Sequence, residues 1–562
     1  MSRQVTCFFV FILCIYSKVM PAQDLASIKN AKPFDWHAGM QVGSYFSQTN
    51  RTTPTTSPFG YYIHGNLSMT FKGVSLPFSF SYRNQQFNYT RPTYRLGLSP
   101  YYKWARIYIG HNQVQYSPYT LDGMTFNGGG ALLTPGKLRV GFMFGVLQNP
   151  RAILDSIQGK VHFISPYKRV AQGVKFGYGT EENHIDLILF NAKDKSRLPI
   201  VPDSVTIKQA ENTTIGLQTK LGFWKNQIQL EVNSGISVFT NNIHGDPLAT
   251  DDKYEKYLKL GQQLMAINST TRLSMAADAS LSCYFGNFRI GGKFQHIDPG
   301  YASMGAYFFR DDNENFTLNS SLALLKGKLQ LDGSYGLQQN SVRSQRSLKS
   351  IQAIYNGNLT LSPVHWAGLN IQYFNFNMNQ QSGLIQINDS LRYGQINANT
   401  SVTPYINFSN KIFSHNISLS YSAQQVKDLS FEESLGQNAT ITSTNLSYSL
   451  NNKLKGYNIN TSVQYLNTNQ ASGQNGRYGL YLSGMQRILK NKINTRLQFN
   501  YSQNTLDSIP DGNQYGGAAG MNVRIGKSSN FSFQVNYVDR NAVHGRSYNE
   551  WRGNTSFNIQ LK

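Results

Sequence analysis

The clearest pattern in the chain is an alternation of apolar and polar residues from about residue 36 to the last residue. One stretch carries on its apolar side Tyr61, Ile63, Gly65, Leu67, Met69 and Phe71. The residues between them are mostly polar, and the same period recurs at 74–82 and 555–561. A period of two places successive side chains on opposite faces of a β-strand. The pattern therefore predicts an all-β chain whose strands have one apolar and one polar face.

The connections between the predicted strands are short turns, many of them basic, that alternate with longer polar loops. The short turns lie near residues 72–73, 103, 135–137, 181–182, 225–226, 286–287, 326–328, 363, 410–411, 451–455, 490–492 and 526–527. The longer loops include 48–59, 149–168, 192–211, 239–270, 379–391 and 538–549. Twelve turns define twelve hairpins. A first strand at 36–47 and a last strand at 550–562 bring the total to about 26 strands, within a range of roughly 24–28.

These strands fit a transmembrane antiparallel up-and-down β-barrel, with lipid outside and water inside. In such barrels the short turns are periplasmic and the long loops are extracellular. Aromatic residues that could form an interfacial girdle lie near the short turns: Tyr101, Tyr102, Trp104, Phe223, Trp224, Tyr284, Phe285, Phe288, Trp366 and Tyr457. A soluble multi-sheet protein or sandwich would alternate too, but no linker, domain break or internal repeat divides the sequence.

The first 22 residues have the features of a secretory signal peptide. Arg3 precedes an apolar core at 5–16, and Ala22 marks the expected cleavage point. A short periplasmic segment at 23–35 and a single barrel at 36–562 complete the predicted organisation. Cleavage would leave Cys283 as the one cysteine, so no internal disulfide is expected. The predicted location is the bacterial outer membrane.

The longest predicted loop, 239–270, contains a segment with helical spacing. Residues 250–252 can cap a helix, and the spaced apolar positions are Tyr254, Tyr257, Leu258 and Leu264 or Met265. This segment would form a lid over or inside the lumen. The alternative is an ordinary surface loop with one helical turn.

Roughly half of the formal net charge of +23 comes from lysines in the predicted short turns. These are Lys72, Lys103, Lys137, Lys225, Lys326, Lys328, Lys411, Lys453, Lys455, Lys490, Lys492 and Lys527. Lysines at a membrane edge can contact anionic headgroups and discourage pairing of strand edges. Outer-membrane lipid is therefore the expected partner of this charge, and nucleic acid is not.

Five arginines fall on the polar, inward side of the predicted strands: Arg83, Arg95, Arg106, Arg139 and Arg496. Facing a water-filled lumen, they would raise the local concentration of anions and tune selectivity. The alternative is that they pair with loop carboxylates or fill space in a wide lumen.

No pattern in the sequence indicates catalytic or cofactor chemistry. Gly128, Gly129 and Gly130 have no following helix, so they do not form a phosphate-binding loop. No His-x-x-x-His or CxxC spacing is present, and the histidines are scattered singly. A serine and a histidine on neighbouring strands could still form a hydrolase site, but nothing singles out such a pair. We expect no enzyme, no cofactor and no metal.

Three strings resemble large outer-membrane barrel proteins of the Bacteroidota. They are the stretch from Tyr101 to Pro150, FNAKD at 190–194 and VFTNN at 238–242, and the resemblance covers roughly residues 60–245. It implies a porin-like barrel in the outer membrane. We expect neither the plug domain and energy-coupling box of TonB-dependent receptors nor the repeated periplasmic domains of assembly pores.

Four Asp-Ser-apolar triplets are similar to the O-glycosylation sequon of that phylum. Their serines are Ser156, Ser204, Ser390 and Ser508, all in predicted long loops. The resemblance implies surface glycans at these positions. Turn chemistry by itself also favours Asp-Ser in loops.

The size of the predicted barrel leads to the functional hypotheses. Barrels of about 16–18 strands already enclose an aqueous channel, and 22-stranded ones are plugged. A wider barrel should therefore be occluded by loops (239–270 first, with 149–168 and 192–211), by flattening, or by a separate plug or partner protein. The first hypothesis is a gated or plugged transport channel for solutes or a larger substrate. The alternatives are a conduit in protein export or surface assembly, and a structural or adhesive barrel.

Overall fold

The structure is a computed structural model. It describes residues 33–51, 58–84, 94–154, 161–165, 167–195, 208–248, 261–306, 311–340, 351–379, 394–428, 438–470 and 473–562. The predicted signal peptide and nearly all of the predicted periplasmic segment lie outside the described residues.

The described chain is almost entirely β-structure. Its strands are β1 (Phe34–Thr49), β2 (Phe59–Phe71), β3 (Val74–Arg83), β4 (Tyr94–Leu98), β5 (Tyr101–Tyr102), β6 (Ala105–Gln113), β7 (Leu121–Asp122), β8 (Thr125–Leu133), β9 (Leu138–Gln148), β10 (Arg151–Leu154), β11 (Val161–Ser165), β12 (Lys168–Gly179), β13 (His184–Lys195), β14 (Glu211–Phe223), β15 (Ile228–Thr240), β16 (Thr271–Phe285), β17 (Phe288–Ile297), β18 (Gly305–Ala306), β19 (Asn313–Leu324), β20 (Leu329–Asn340), β21 (Ile351–Val364), β22 (Ala367–Asn379), β23 (Gly394–Ser409), β24 (Phe413–Asp428), β25 (Ala439–Asn452), β26 (Tyr457–Gln470), β27 (Gly473–Ile488), β28 (Ile493–Leu506), β29 (Ile509–Ile525), β30 (Ser529–Ala542) and β31 (Tyr548–Leu561). A 3₁₀ turn spans Leu325–Gly327. Among the described residues, no helix combines the length and hydrophobicity needed to cross a membrane.

Successive strands of the wall pair antiparallel, and β1 pairs with β31, which closes the barrel. β4 and β5 both pair with β3 and with β6, so they are two pieces of one wall strand. Pro100, which lacks a backbone donor, lies in the break between them. The wall therefore has 26 strands, and the predicted fold class and strand number are confirmed. The pairs β10–β11 and β7–β18 lie outside the wall sheet.

The twelve predicted short turns all occur, and they lie on one rim of the barrel, here called the short-turn rim. Several begin with a lysine in the left-handed region, such as Lys72 at φ 46° and Lys103 at φ 50°. Connections on the opposite rim, the long-loop rim, range from two residues to the 30 residues between β15 and β16.

One predicted long loop is wrong. β28 and β29 are joined by Asp507 and Ser508 alone, with φ values of 49° and 68°. Two successive positive φ angles make the type of two-residue turn whose twist matches that of a hairpin, and Asp tolerates this conformation. The predicted glycosylation position Ser508 therefore lies in a tight turn.

The outer face of the wall is apolar and exposed. On β12 and β13, for example, the exposed residues are Val174, Phe176, Tyr178, Ile185, Leu187 and Leu189. Aromatic residues near the short turns are exposed as well, among them Trp224, Phe285 and Trp366. An exposed apolar band edged by aromatic residues is the surface that a bilayer covers.

Buried apolar side chains are confined to one part of the barrel. Among the described residues, every buried apolar side chain belongs to the stretch from Tyr108 to Met304. The cause is that two connections from the long-loop rim fold inward. We call residues 114–124, between β6 and β8, the first inner loop, and residues 298–306, which follow β17, the second inner loop.

The opposite polarity of the two wall faces predicts opposite tolerance to charge. Leu419 lies midway along β24, is exposed on the outer face and pairs with Leu446. Its neighbour Ser420 lies on the inner face and accepts a hydrogen bond from Thr403 Oγ1 (3.1 Å). Leu419→Arg should destabilise the barrel in lipid vesicles by about 2–4 kcal/mol, whereas Ser420→Arg should cost far less. Urea unfolding in vesicles measures both, and equal losses would contradict this assignment of faces.

Candidate functional site

The first inner loop packs against the inner wall through side chains that are unusual for a surface loop. Tyr116 and Leu121 are almost completely buried. They belong to one apolar cluster with Met143 of β9 and with Ile188 and Phe190 of β13. This packing holds the loop on the inner face of the barrel instead of above its rim.

Glycines on the inner wall provide the space for this approach. A Cβ atom at Gly216 would lie 2.5 Å from Thr120 Cγ2, and one at Gly235 would lie 2.5 Å from the Tyr301 hydroxyl. Contacts below 3.0 Å are not tolerated without a shift of the neighbouring atoms. The inner loops can therefore contact the wall because these wall positions have no side chains.

The two inner loops are bound to each other. The Tyr301 hydroxyl donates to the Tyr119 carbonyl (2.5 Å), and Ser303 Oγ donates to the Thr120 carbonyl (2.5 Å). The short strands β7 and β18 pair in parallel through Leu121 and its partner Gly305. Together the loops form one unit, which we call the inner loop pair.

Hydrogen bonds also fix the inner loop pair to the wall strands β14 and β15. Ser237 Oγ donates to the Ala302 carbonyl (2.6 Å), and the Met304 amide donates to Asn212 Oδ1 (2.9 Å). Asn212 is fully buried and donates through Nδ2 to Ser237 Oγ (2.8 Å). When both the oxygen and the nitrogen of a buried side-chain amide make hydrogen bonds, one fixed arrangement of the partners is favoured.

Three tyrosines of the inner loop pair are held in the protonated form. Burial raises the pKa of Tyr116, Tyr119 and Tyr301 well above the usual value for a phenol. The three hydroxyl groups therefore stay neutral: that of Tyr301 donates to the Tyr119 carbonyl, that of Tyr119 accepts from Gln295 Nε2 (3.0 Å), and that of Tyr116 has no hydrogen-bond partner among the described residues.

A cavity of about 710 Å³ lies between the inner loop pair and the wall. One row of polar side chains crosses it on five neighbouring strands, β15, β16, β17, β19 and β20. In order of pairing, the row is Asn233, Asp278, Gln295, Asn315 and Gln338. Each of these residues is paired in register with the next, so the row faces the same side of the sheet.

A second row and the first inner loop add charged groups to the cavity. Glu231, Ser280 and Lys293 are paired in register on β15, β16 and β17, and Asp122 lines the cavity from the inner loop. Lys293 Nζ lies 3.6 Å from Asp278 Oδ2. The cavity thus has three carboxylates and one lysine among its lining residues.

Between β21 and β27, uncharged polar side chains of the inner wall are joined by hydrogen bonds across the strands. Across β23, β24 and β25, Thr403 Oγ1 donates to Ser420 Oγ (3.1 Å), and the hydroxyls of Ser418 and Ser447 lie 2.6 Å apart. Similar cross-strand bonds join Asn370 to Asn358 and Asn460 to Ser483. Such side chains can exchange hydrogen bonds with water and with polar solutes.

The five predicted lumen arginines share the inner side of their strands, but the structure does not bring them together. Arg139 makes a bidentate ion pair with the fully buried Asp186, in which Nε donates to Oδ1 (2.8 Å) and Nη2 donates to Oδ2 (3.0 Å). Arg106 lies 5.1 Å from the centre of the Tyr101 ring, and Arg496 donates to the Tyr481 hydroxyl at 3.2 Å.

Arg83 and Arg95 lie on the adjacent strands β3 and β4. Arg83 is directly paired with Tyr62, and Arg95 is directly paired with Ser81. Neither lines the cavity.

The predicted lid is only partly within the described residues. Tyr254, Tyr257 and Leu258 lie outside them, and Leu264 is 72% exposed. Of the predicted glycosylation positions, Ser156, Ser204 and Ser390 also lie outside the described residues.

The described remainder of the 239–270 loop bonds to the ends of wall strands. A helical turn joins the Met265 amide to the Gly261 carbonyl (3.1 Å), and Met265 is buried. The Ala266 amide donates to Glu211 Oε2 (3.0 Å), and Thr240 Oγ1 donates to the Ala266 carbonyl (2.6 Å). These bonds place this part of the loop at the rim.

Sequence reasoning missed the inner loop pair. One signal was present, because residues 114–124 combine Val114, Tyr116, Tyr119 and Leu121 in a connection where polar residues are expected. The described residues contain no cluster of three or more His, Cys, Asp or Glu side chains that could hold a metal ion.

Replacing Asp186 tests whether Arg139 stabilises the fold or instead acts on anions in the lumen. Asp186 is fully buried and contacts Arg139 and Lys175, whose side chains are also largely buried. Asp186→Asn would leave two buried cations without a counter-charge, so we expect a loss of about 3–5 kcal/mol in urea unfolding. Adding Lys175→Gln should recover part of it. A single variant as stable as the wild type would contradict this role.

No family model and no curated protein matches this chain. Among solved structures, it is similar to the P pilus usher (PapC) translocation pore, with 12% identity, 94% of this chain and 100% of that chain covered, and a TM-score of 0.37. It is also similar to the FrpB iron transporter from Neisseria meningitidis (11% identity, 96% and 83% covered, TM-score 0.39). For OccK9 (OpdG) of Pseudomonas aeruginosa the values are 11%, 70%, 98% and 0.30.

Proposed function

We propose that this protein is a bacterial outer-membrane channel for small polar solutes, narrowed from one side by the inner loop pair. The observation that carries the proposal is the asymmetry of the interior. The inner loop pair is packed on the wall around β9–β17, whereas the inner faces of β21–β31 carry polar side chains and no buried apolar core among the described residues.

The two faces of the wall support this location and this role. An exposed apolar outer face suits lipid, and a polar inner face suits water. Hydroxyl and amide side chains along β20–β31 can replace part of the hydration of an uncharged solute. We further propose that residues 1–22 are an export signal, that residues 23–35 form a short periplasmic segment, and that the source is a bacterium of the Bacteroidota.

The inner loop pair supports a narrowed lumen more directly than the predicted lid does. Its two loops are hydrogen-bonded to each other, and Ser237 and Asn212 of the wall hydrogen-bond to the second loop. We therefore propose a permanently narrowed channel in which a separate plug protein is not required. The glycans predicted from the Asp-Ser-apolar triplets would then lie on the long-loop rim.

Single-channel recording in planar bilayers tests the proposal. Gly235→Leu would place a side chain into the space of the Tyr301 hydroxyl and of Tyr119 Cβ, and should displace the inner loop pair. We expect the wild type to show stable openings and Gly235→Leu to show larger ones.

Gly520→Leu is the matched control for this experiment. Gly520 lies on β29, far along the chain from the inner loops, and a Cβ there would meet only ordinary contact at 3.7 Å. Circular dichroism and the gel shift on heating verify that both variants fold. A wild-type protein without channel openings would contradict the proposal that the barrel is a channel. Equal conductance of the wild type and Gly235→Leu would contradict the proposal that the inner loop pair narrows the lumen.

A further inference from the structure

The inner face of β27–β31 carries a set of arginines. Residues 473–562, which include these five strands, are described without a gap. Neighbouring residues such as Tyr478, Leu497 and Trp551 are apolar and exposed on the outer face, so alternation places the arginines beside them on the inner face. The inner arginines of these strands are Arg477, Arg487, Arg496, Arg524, Arg540 and Arg552. We call these six residues the arginine track.

The arginine track extends along the strands from one rim to the other. Three of its members lie within the five strand residues nearest to the long-loop rim: Arg477, Arg540 and Arg552. The other three lie within the four strand residues nearest to the short-turn rim: Arg487, Arg496 and Arg524. A solute that crosses the lumen along these strands therefore meets guanidinium groups near both ends of its path.

Few carboxylates oppose this positive charge. Glu550 lies on the inner face, and both Arg552 Nε (2.7 Å) and Arg51 Nη2 (3.4 Å) contact it. Asp511, at the long-loop end of β29, interacts electrostatically with Arg540. The other two aspartates of residues 473–562 lie in the turn after β28 and on the outer face of β30. Even with Glu550 and Asp511 both counted, the six arginines of the track leave an excess of positive charge.

The arginine track differs from inner cations elsewhere in the barrel, which are paired with carboxylates. On β9 and β12, Arg139 and Arg169 each lie 2.8 Å from a carboxylate oxygen. Arg496 of the track instead donates to two neutral groups, the Tyr481 hydroxyl (3.2 Å) and Gln498 Oε1 (3.4 Å). An arginine held by neutral partners keeps a positive charge that an anion in the lumen can neutralise.

The arginine track lies on the opposite side of the barrel from the inner loop pair. The inner loop pair contacts β13 through Ile188 and Phe190 and β14 through Asn212. In the closed circuit of 26 wall strands, β27 and β28 are thirteen strands away from β13 and β14, which is half of the circuit. The part of the lumen that the inner loop pair leaves open is therefore bounded by the arginine track.

We propose that the channel prefers small organic anions that carry a carboxylate. This inference rests on the proposed channel function and adds the class of solute. The guanidinium group is planar, always charged and presents donors that match a carboxylate in a bidentate geometry. A wall with an excess of one charge also raises the local concentration of solutes of the opposite charge. Hydroxyl and amide side chains on the same strands can bind the uncharged parts of the solute.

Reversal potentials in planar bilayers test this preference. With a gradient of potassium acetate across the bilayer, we expect the wild type to be at least about three times more permeable to acetate than to potassium. Openings with an acetate-to-potassium permeability ratio at or below one would overturn this inference and leave the channel proposal intact. A wild type without openings would overturn both, so the two failures are distinguishable.

Charge reversal assigns the preference to the arginine track. Arg477→Glu combined with Arg496→Glu changes one residue near each end of the track and should lower the permeability ratio at least about threefold. Arg477→Lys combined with Arg496→Lys keeps the charge and should keep the ratio above one.

Lys225→Glu combined with Lys326→Glu is the matched control, because it makes the same charge change in short turns away from β27–β31 and should leave the ratio near the wild-type value. The gel shift on heating verifies that each variant folds. A wild-type ratio in the Arg477→Glu and Arg496→Glu variant, a lost preference in the lysine variant, or an equal loss in the control would overturn the assignment.

Discussion

The docking of two loops onto the inner wall is the contact on which the rest of the structure depends. It combines apolar burial of Tyr116 and Leu121, close approach at Gly216 and Gly235, and hydrogen bonds that include the buried amide of Asn212. Each component needs the others, because tyrosines could not reach the wall if these glycines carried side chains. Once docked, the loops divide the interior into a packed part and a polar part.

This division explains where the different chemistries of the barrel are found. Apolar packing and the Arg139–Asp186 ion pair belong to the strands near the inner loop pair, where side chains are removed from water. Hydroxyl and amide pairs such as Thr403–Ser420 belong to the opposite strands. The charged cavity lies at the boundary, where the wall row from Asn233 to Gln338 is partly covered by the first inner loop.

The fold could be predicted from the sequence because its determinants are local. A period of two and a turn at Lys72-Gly73 or Lys326-Gly327 are visible within a few residues, and together they yielded the strand number. The inner loop pair depends on Tyr119 meeting Tyr301, 182 residues away, and no local pattern encodes that contact. The face of Arg139 could be inferred from alternation, but its partner Asp186 belongs to another hairpin. The turn at Asp507-Ser508 shows that polar residues alone do not indicate loop length.

The bond between Tyr119 and Tyr301 also has a mechanical consequence for the wall. The two inner loops leave the wall on either side of an arc of eight strands, β8, β9, β12, β13, β14, β15, β16 and β17. A link between the two ends of an arc acts as a chord, and it fixes the distance between those ends. Bending or flattening of this arc would require the chord to break. The opposite arc has no such chord among the described residues, so lateral strain from the bilayer should be absorbed there.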